Sequence, residues 1–192
     1  MNELSDVGVV ILAAGESSRM KSPKPFLKYD TNRRFIDKII DEYRDFGINH
    51  IVVVVNKSTI KELNLDNNTL VCVNEHLEYE RFYSIKLGLE KIGKCDFCFI
   101  QNIDNPFVNK SVLNKLYENK SKNGGIIPVI QDKGGHPVLL GSEVISYIVR
   151  TKELNLNFKE VINEFPGNRV EVADNSILIN INSLEEYQKY FK

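Results

Sequence analysis

Disulfide chemistry, broad nucleic-acid binding and membrane spanning find little support in this chain. Its cysteines number only three, Cys72, Cys95 and Cys98. The count is odd, and Cys72 and Cys98 fall inside strand-like apolar runs, as expected of a reduced cytoplasmic protein. Cys95 and Cys98 do make a C-x-x-C, but the residues around them lead straight into Phe99 and Ile100. No second cysteine pair is near, so the spacing does not describe a zinc or redox centre. Neither sign of charge dominates: 25 Lys and Arg face 26 Asp and Glu, a net charge of −1. That balance gives no field for broad nucleic-acid binding, and any anion site must be local. The N-terminal apolar run, Val7 to Ala14, is far too short to span a bilayer and follows no basic leader, so neither secretion nor membrane insertion is expected. Internal repeats, low-complexity tracts and linkers are also lacking, and 192 residues suit one domain over residues 1–192.

What is present is a regular alternation of strand-like and helix-like segments. Val7 to Leu12 reads as a first strand. Phe35, Ile36, Ile39, Ile40, Tyr43 and Phe46 then recur at helical spacing and stop at Gly47, a natural C-cap. Ile51 to Val55 is a continuous β-branched run, the pattern of a strand covered on both faces. A short helix near Thr59 to Leu63, a strand Leu70 to Val73, a helix Arg81 to Ile92, a strand Phe97 to Ile100 and a helix Lys110 to Asn119 follow. The alternation predicts a three-layer α/β fold, Rossmann-like, with a mostly parallel sheet and helices on both faces. From Gly124 onward it loosens into short strands, Ile126 to Ile130 and Val138 to Leu140, and helices Glu143 to Val149 and Asn157 to Glu164. Strands Arg169 to Val172 and Ile177 to Ile181 and a helix Leu184 to Phe191 close the chain.

The segment between the first strand and Lys24 carries the most chemistry. Leu12-Ala13-Ala14-Gly15-Glu16-Ser17-Ser18-Arg19-Met20-Lys21-Ser22-Pro23-Lys24 joins small residues, hydroxyls and cations in one loop. Small residues let a polyanion approach backbone N–H groups, and Arg19 and Lys24 supply opposing charge. A loop at the carboxyl end of a first parallel strand is also where open α/β sheets bind ligands. Two familiar phosphate motifs are excluded. A Walker A loop needs glycine where Met20 stands and a helix where Pro23 and Pro25 forbid one, and no G-x-G-x-x-G follows the first strand.

The same string resembles the signature of MobA-like nucleotidyltransferases, L-A-[AG]-G-x-S-x-R-M-[G]-x-x-K, with Lys21 in the place of the usual glycine. Further segments recur in order. Arg81-Phe82-Tyr83-Ser84-Ile85-Lys86-Leu87-Gly88-Leu89 is similar to the family's S-[IL]-[RK]-x-G-L helix start, with Glu80 among the residues replacing a preceding glycine. Asp104-Asn105-Pro106 is similar to D-[QMN]-P, Gly135-His136-Pro137-Val138-Leu139 to G-x-P-V-L, and Asn180-Ile181-Asn182-Ser183 to the closing D-[IV]-[DN]-[TS]. The resemblance implies the fold of nucleotide-diphospho-sugar transferases and transfer of a nucleotide from an NTP onto a phosphorylated small molecule. Ala14 is similar to the molybdenum cofactor cytidylyltransferase branch, which implies CTP as donor, molybdopterin as acceptor and a molybdoenzyme as partner.

Roles follow by resemblance. Leu12, Ala13, Ala14, Gly15 and Ser17 with Arg19 would hold the phosphates, and Lys24 would neutralise the α-phosphate. Ser84 would lie beside the nucleobase, and Gly135, His136 and Pro137 beside the acceptor. Asp104 would hold Mg²⁺, with Asn180 at the position of a second carboxylate. An amide oxygen can ligate Mg²⁺ but brings no charge. Other readings stay open. Ser84 is equally a helix cap, Asp104 a cap or turn residue, and His136 an ordinary loop residue, while Tyr79, Phe82 and Tyr83 fit a core. Two rival functions also remain: a sugar- or alditol-phosphate nucleotidyltransferase, and a non-catalytic accessory protein that binds nucleotide or cofactor.

Overall fold

The β-branched runs form the middle of an eight-stranded sheet. A computed structural model describes residues 4–17, 20 and 22–191. Strands β1 (Val7–Ala13), β2 (His50–Asn56), β3 (Thr69–Asn74) and β4 (Phe97–Asn102) run parallel in the order β3-β2-β1-β4. Helices α1 (Phe35–Phe46), α2 (Glu80–Ile92), α3 (Lys110–Glu118), α4 (Ser142–Arg150), α5 (Phe158–Asn163) and α6 (Leu184–Tyr190) complete the layers. Alternate residues of the central strands feed two separate cores. Val9, Ile11, Ile51, Val53 and Val55 pack with the buried residues of α1 and α3, whereas Val10, Val52 and Val54 pack with those of α2, α4 and α5. Both faces are covered, so these strands show no polar alternation. Cys95 and Cys98 sit in the second core as free thiols, and Cys72 packs at its edge. Among the described residues no helix is long and apolar enough to cross a membrane.

The chain places β2 and β3 on one side of β1 and β4 on the other. This reversal of strand order opens a crevice at the carboxyl ends of β1 and β4. Beyond β4 the sheet continues through β7 (Val138–Gly141), which pairs antiparallel with both β4 and β5 (Gly125–Ile130). The two-residue β6 (Lys133–Gly134) and the parallel β8 (Asn168–Glu171) flank β5. The strand expected at Ile177 to Ile181 is absent: a 3₁₀ turn, Asn175–Leu178, leads into irregular backbone. Ile177 and Ile181 are buried, which explains the alternation. The backbone groups, however, bond to a side chain and to a loop. The carbonyls of Ser176 and Ile179 accept from Asn105 Nδ2 at 2.9 and 2.7 Å, and Ile181 N donates to the Asp104 carbonyl at 2.7 Å.

Two residues of α2 explain the helix-start motif in structural terms. A Cβ added to Gly88 would lie 2.3 Å from Val10 Cγ1 and 3.0 Å from Val54 Cγ2, so only glycine lets α2 approach the sheet this closely. Valine side chains are stiff and cannot swing away. Gly88→Ala is expected to lower stability by about 1–2 kcal/mol, overpacking outweighing the better helix propensity of alanine. Equilibrium urea unfolding checks this, and an unchanged midpoint would refute the close-approach account. Lys86 is buried and reaches the carboxyl end of α4, donating to the carbonyls of Ile148 at 3.1 Å, Thr151 at 3.0 Å, and Val149. A cation there satisfies terminal carbonyls and meets the negative end of the helix dipole.

Candidate active site

The loop after β1 is shaped by anchors on either side. Met20 is buried in the first core, and its N–H donates to the Ser17 carbonyl at 2.7 Å. Ser17 takes a positive φ of 52° and its Oγ accepts from Lys24 N at 3.2 Å. From below, buried Asn56 at the end of β2 donates through Nδ2 to the carbonyls of Ala14 at 3.0 Å and Gly15 at 3.4 Å. Its Oδ1 accepts from Thr59 N at 2.8 Å, which fixes the amide's orientation. Asn56 thus engages loop carbonyls whose negative ends would repel an anion. A Cβ on Gly15 would meet nothing within 4 Å, so the space beside this residue is open.

Opposite the loop, β4 ends at Asn102 and the next residues turn inward. Ile103 N donates to the Leu12 carbonyl at 3.1 Å, tying the two strand ends together. Asn105 is fully buried and holds the closing segment through the two bonds given above. That contact places Asn182 beside Asp104. Lys24 Nζ lies between them, donating to Asn182 Oδ1 at 2.7 Å and to Asp104 Oδ2 at 3.2 Å. Three residues distant in sequence therefore meet at one ammonium group.

A cavity of 490 Å³ is lined by residues 12–17, Lys24 and Pro25 on the loop side and by Leu77, Glu80, Arg81 and Ser84 around the start of α2. Asn102, Ile103, Asp104 and Asn182 complete it. It gathers Leu12, Ala13, Ala14, Gly15, Ser17, Lys24, Ser84 and Asp104 of the expected site residues. Arg19, the remaining expected cation, lies outside the described residues. Ser84 is not the N-cap of α2, because it sits in the second turn, where its Oγ accepts from Asn74 Nδ2 at 2.9 Å. Asp104 likewise does not cap α3, a role taken by Asn109.

Two groups of expected residues lie outside the lining of this cavity. Asn182, rather than Asn180, lines the cavity, and Asn180 Oδ1 is buried without a partner. Gly135, His136 and Pro137 also lie off the cavity wall. Their loop is covered by the closing turn: His136 N donates to the Ile177 carbonyl at 3.1 Å, and a Cβ on Gly135 would strike that oxygen at 2.5 Å. His136 does not titrate near neutrality. Burial, assisted by the positive charge of Arg81, pulls its pKa down to about 3. Asn102 Nδ2 donates to His136 Nε2 at 2.9 Å, so a neutral ring carries its hydrogen on Nδ1. The residues overlooked in sequence are Arg81, Asn182, Asn105 and Asn56. Asn105 and Asn182 stand within quoted motifs and Arg81 opens a quoted string, whereas no pattern distinguishes Asn56.

The chain has counterparts among known proteins. The sequence profile of the MobA-like NTP transferase domain matches residues 9–163. The chain belongs to that family. A "Probable molybdenum cofactor guanylyltransferase" of Clostridium perfringens (strain 13 / Type A) is 29% identical over 194 residues, 95% of this chain and 94% of that protein. The "Molybdenum cofactor guanylyltransferase" of Campylobacter jejuni (strain RM1221) is 27% identical over 198 residues, covering 98% and 97%. Among solved structures, a nucleotidyl transferase from Methanothermobacter thermautotroptrophicus superposes with a TM-score of 0.76 at 17% identity, covering 96% of this chain and 95% of that one. The fold is therefore that of nucleotidyltransferases of the nucleotide-diphospho-sugar transferase type, as the resemblance implied. The chain is a nucleotidyltransferase of the MobA-like kind. The relatives' printed names are guanylyltransferases, so they lend no support to the cytosine preference drawn from Ala14.

Proposed function

We propose that this MobA-like domain transfers GMP from GTP onto the phosphate of molybdopterin. The observation that carries the reading is the meeting of Lys24, Asp104 and Asn182 beside the loop, in a cavity lined on both sides. In this reaction an acceptor phosphate oxygen bonds to the α-phosphorus, the bond from that phosphorus to the bridging oxygen breaks, and pyrophosphate leaves with the electron pair. The protein's work is positioning and charge compensation, with no covalent nucleophile. Residues 13–17 would cradle the triphosphate, and Lys24 would move from its two oxygen partners to the α-phosphate.

The donor set also suits Mg²⁺. Asp104 Oδ1 is a buried carboxylate oxygen without a donor, and among the described residues no three His, Cys, Asp or Glu side chains form a cage. Mg²⁺ prefers one or two carboxylates together with phosphate oxygens over an all-protein cage. Asp104 and Asn182 would hold it, and the ion would offset phosphate charge.

Guanine is favoured by the names of the curated relatives, and cytosine, the second reading, by Ala14. Melting in the presence of each nucleotide with Mg²⁺ separates them, because a ligand of the folded state raises apparent stability by mass action. GTP is expected to shift the transition by several degrees and CTP, ATP and UTP by less. A dominant CTP shift would establish the second reading, equal shifts would remove base selection, and no shift with any of the four would sink the triphosphate site.

A further inference from the structure

Two residues of the cavity lining, Arg81 and Asp104, carry buried polar atoms without partners. Arg81, in the first turn of α2, lines the cavity with Nε and Nη2 both buried and unpartnered. The charge of Asp104 acts on it, and Asp104 Oδ1 is likewise unpartnered. Burial lowers the pKa of Arg81 and the Asp104 charge opposes that, but a guanidinium remains protonated at any relevant pH. Its N–H groups form a rigid planar fork, and unmade bonds from a buried cation cost more than those from a neutral group. Among the described residues no carboxylate hydrogen-bonds to Nε or Nη2, and Asp104 bonds to Lys24 through Oδ2. Phe158 packs against the guanidinium, with Cζ 5.2 Å from the ring centroid, which limits its swing. The preceding residue, Glu80, is held at φ 55° and ψ −150°, a region open essentially to glycine alone. Strain of this kind collects at sites where geometry is fixed for a ligand.

We propose that Arg81 binds the phosphate of the acceptor, the group that attacks the α-phosphorus. This rests on the nucleotidyl-transfer reading above for the identity of the ligand. The direction in which Arg81 faces separates acceptor from donor. Its neighbours Asp104, His136 and Phe158 belong to the β4 end, the β6–β7 connection and α5, whereas the triphosphate loop lies on β1 and Ser84 turns toward Asn74 of β3. A phosphate monoester satisfies both free N–H groups of a guanidinium in the bidentate arrangement that oxyanions favour. Lys24, which bonds to Asp104 and Asn182 in the same cavity, is a second cation available to the donor's phosphates. Two cations thus separate two phosphate groups that would repel each other in the empty solvent. Arg81 is a catalytic residue in the narrow sense that it touches the reacting group.

The test uses inorganic phosphate as probe and α,β-methylene-GTP with Mg²⁺ to fill the donor site without turnover. Calorimetric titration of the wild type saturated with the analogue should show phosphate binding. Arg81→Gln should weaken it about 10–100-fold, as expected for losing charged hydrogen bonds, and should leave the analogue's affinity within about threefold. Arg81→Lys, which keeps charge but not the fork, should fall between. Arg81→Gln should also melt no lower than the wild type, because it removes a buried unpartnered cation, so weaker binding is not unfolding. Unchanged phosphate affinity in Arg81→Gln, no phosphate binding in the wild type, or weakening of the analogue instead would each overturn the proposal. Failure of the analogue to bind the wild type would overturn GTP as the donor, and phosphate titration without it would still judge Arg81.

Discussion

Lys24→Ala is expected to reduce pyrophosphate release about 10²–10³-fold, the loss typical of removing one preorganised donor from developing negative charge. Its stability should barely change. The ammonium's present partners are only partly enclosed, the Lys24 and Asp104 side chains being 15% and 23% exposed, so the ion pair is worth about 1 kcal/mol or less. The loss should appear mainly in kcat, with KM for the nucleotide little altered, because the lysine bonds to protein oxygens in the free state and gains phosphate contacts as charge accumulates. Steady-state kinetics with purified protein, Mg²⁺ and acceptor measures this. A variant turning over at the wild-type rate would remove Lys24 from the chemistry, and a rise in KM alone would reduce it to ground-state binding.

The second large effect is on stability in mild acid. His136 has a pKa of about 3 in the folded protein against 6.5 for the free side chain, chiefly through burial. The unfolded chain therefore takes up a proton below pH 6.5 that the folded chain refuses. The contribution is complete above pH 6.5 and is lost as the pH falls toward 3, at roughly 1.4 kcal/mol per unit. It amounts to about 2 kcal/mol by pH 5 and on the order of 4 kcal/mol by pH 3.5. His136→Asn should lower stability at neutral pH by losing the bond to Asn102, yet its stability should fall less steeply on acidification. Urea unfolding of both proteins from pH 7 to 4 gives the comparison. Carboxylates act in both alike, so parallel curves would show that His136 is not the group responsible.

The centre of the sheet and both helical layers were legible in the sequence because β-branched runs and 3.6-residue periodicity record burial directly. The period-2 pattern of Ile177, Ile179 and Ile181 was misleading for a physical reason. Burial of two of these residues sets the alternation, while Asn105 takes carbonyls that a strand would have given to a neighbour. The reversed direction of β7 was unreadable in four residues. His136 resembled an exposed loop residue because its Gly-Gly-His-Pro surroundings are turn-like, and the segment that covers it arrives some forty residues later. At the site, loop residues with Lys24 and Asp104 stood out as local clusters. Asn182 rather than Asn180 faces the cavity through the path of the closing segment, and Arg81, which opens a quoted string, is marked as a site residue only by missing partners in three dimensions, which no spacing encodes.

The antiparallel β7 has a further result. In a wholly parallel sheet, only segments leaving strands reach the crevice, and each must then cross to the far end as a helix before the next strand begins. Because Val138 enters opposite Ile100, the chain arrives at the same rim by way of a strand's beginning. The loop after β1 and the loop around His136, which joins β6 to β7, are thus delivered by opposite chain directions and meet only at the end of β4, where Asn102 bonds to His136. The rim is consequently divisible: an exchange of residues 125–141 between relatives would carry the His136 loop across and leave the loop after β1 unaltered.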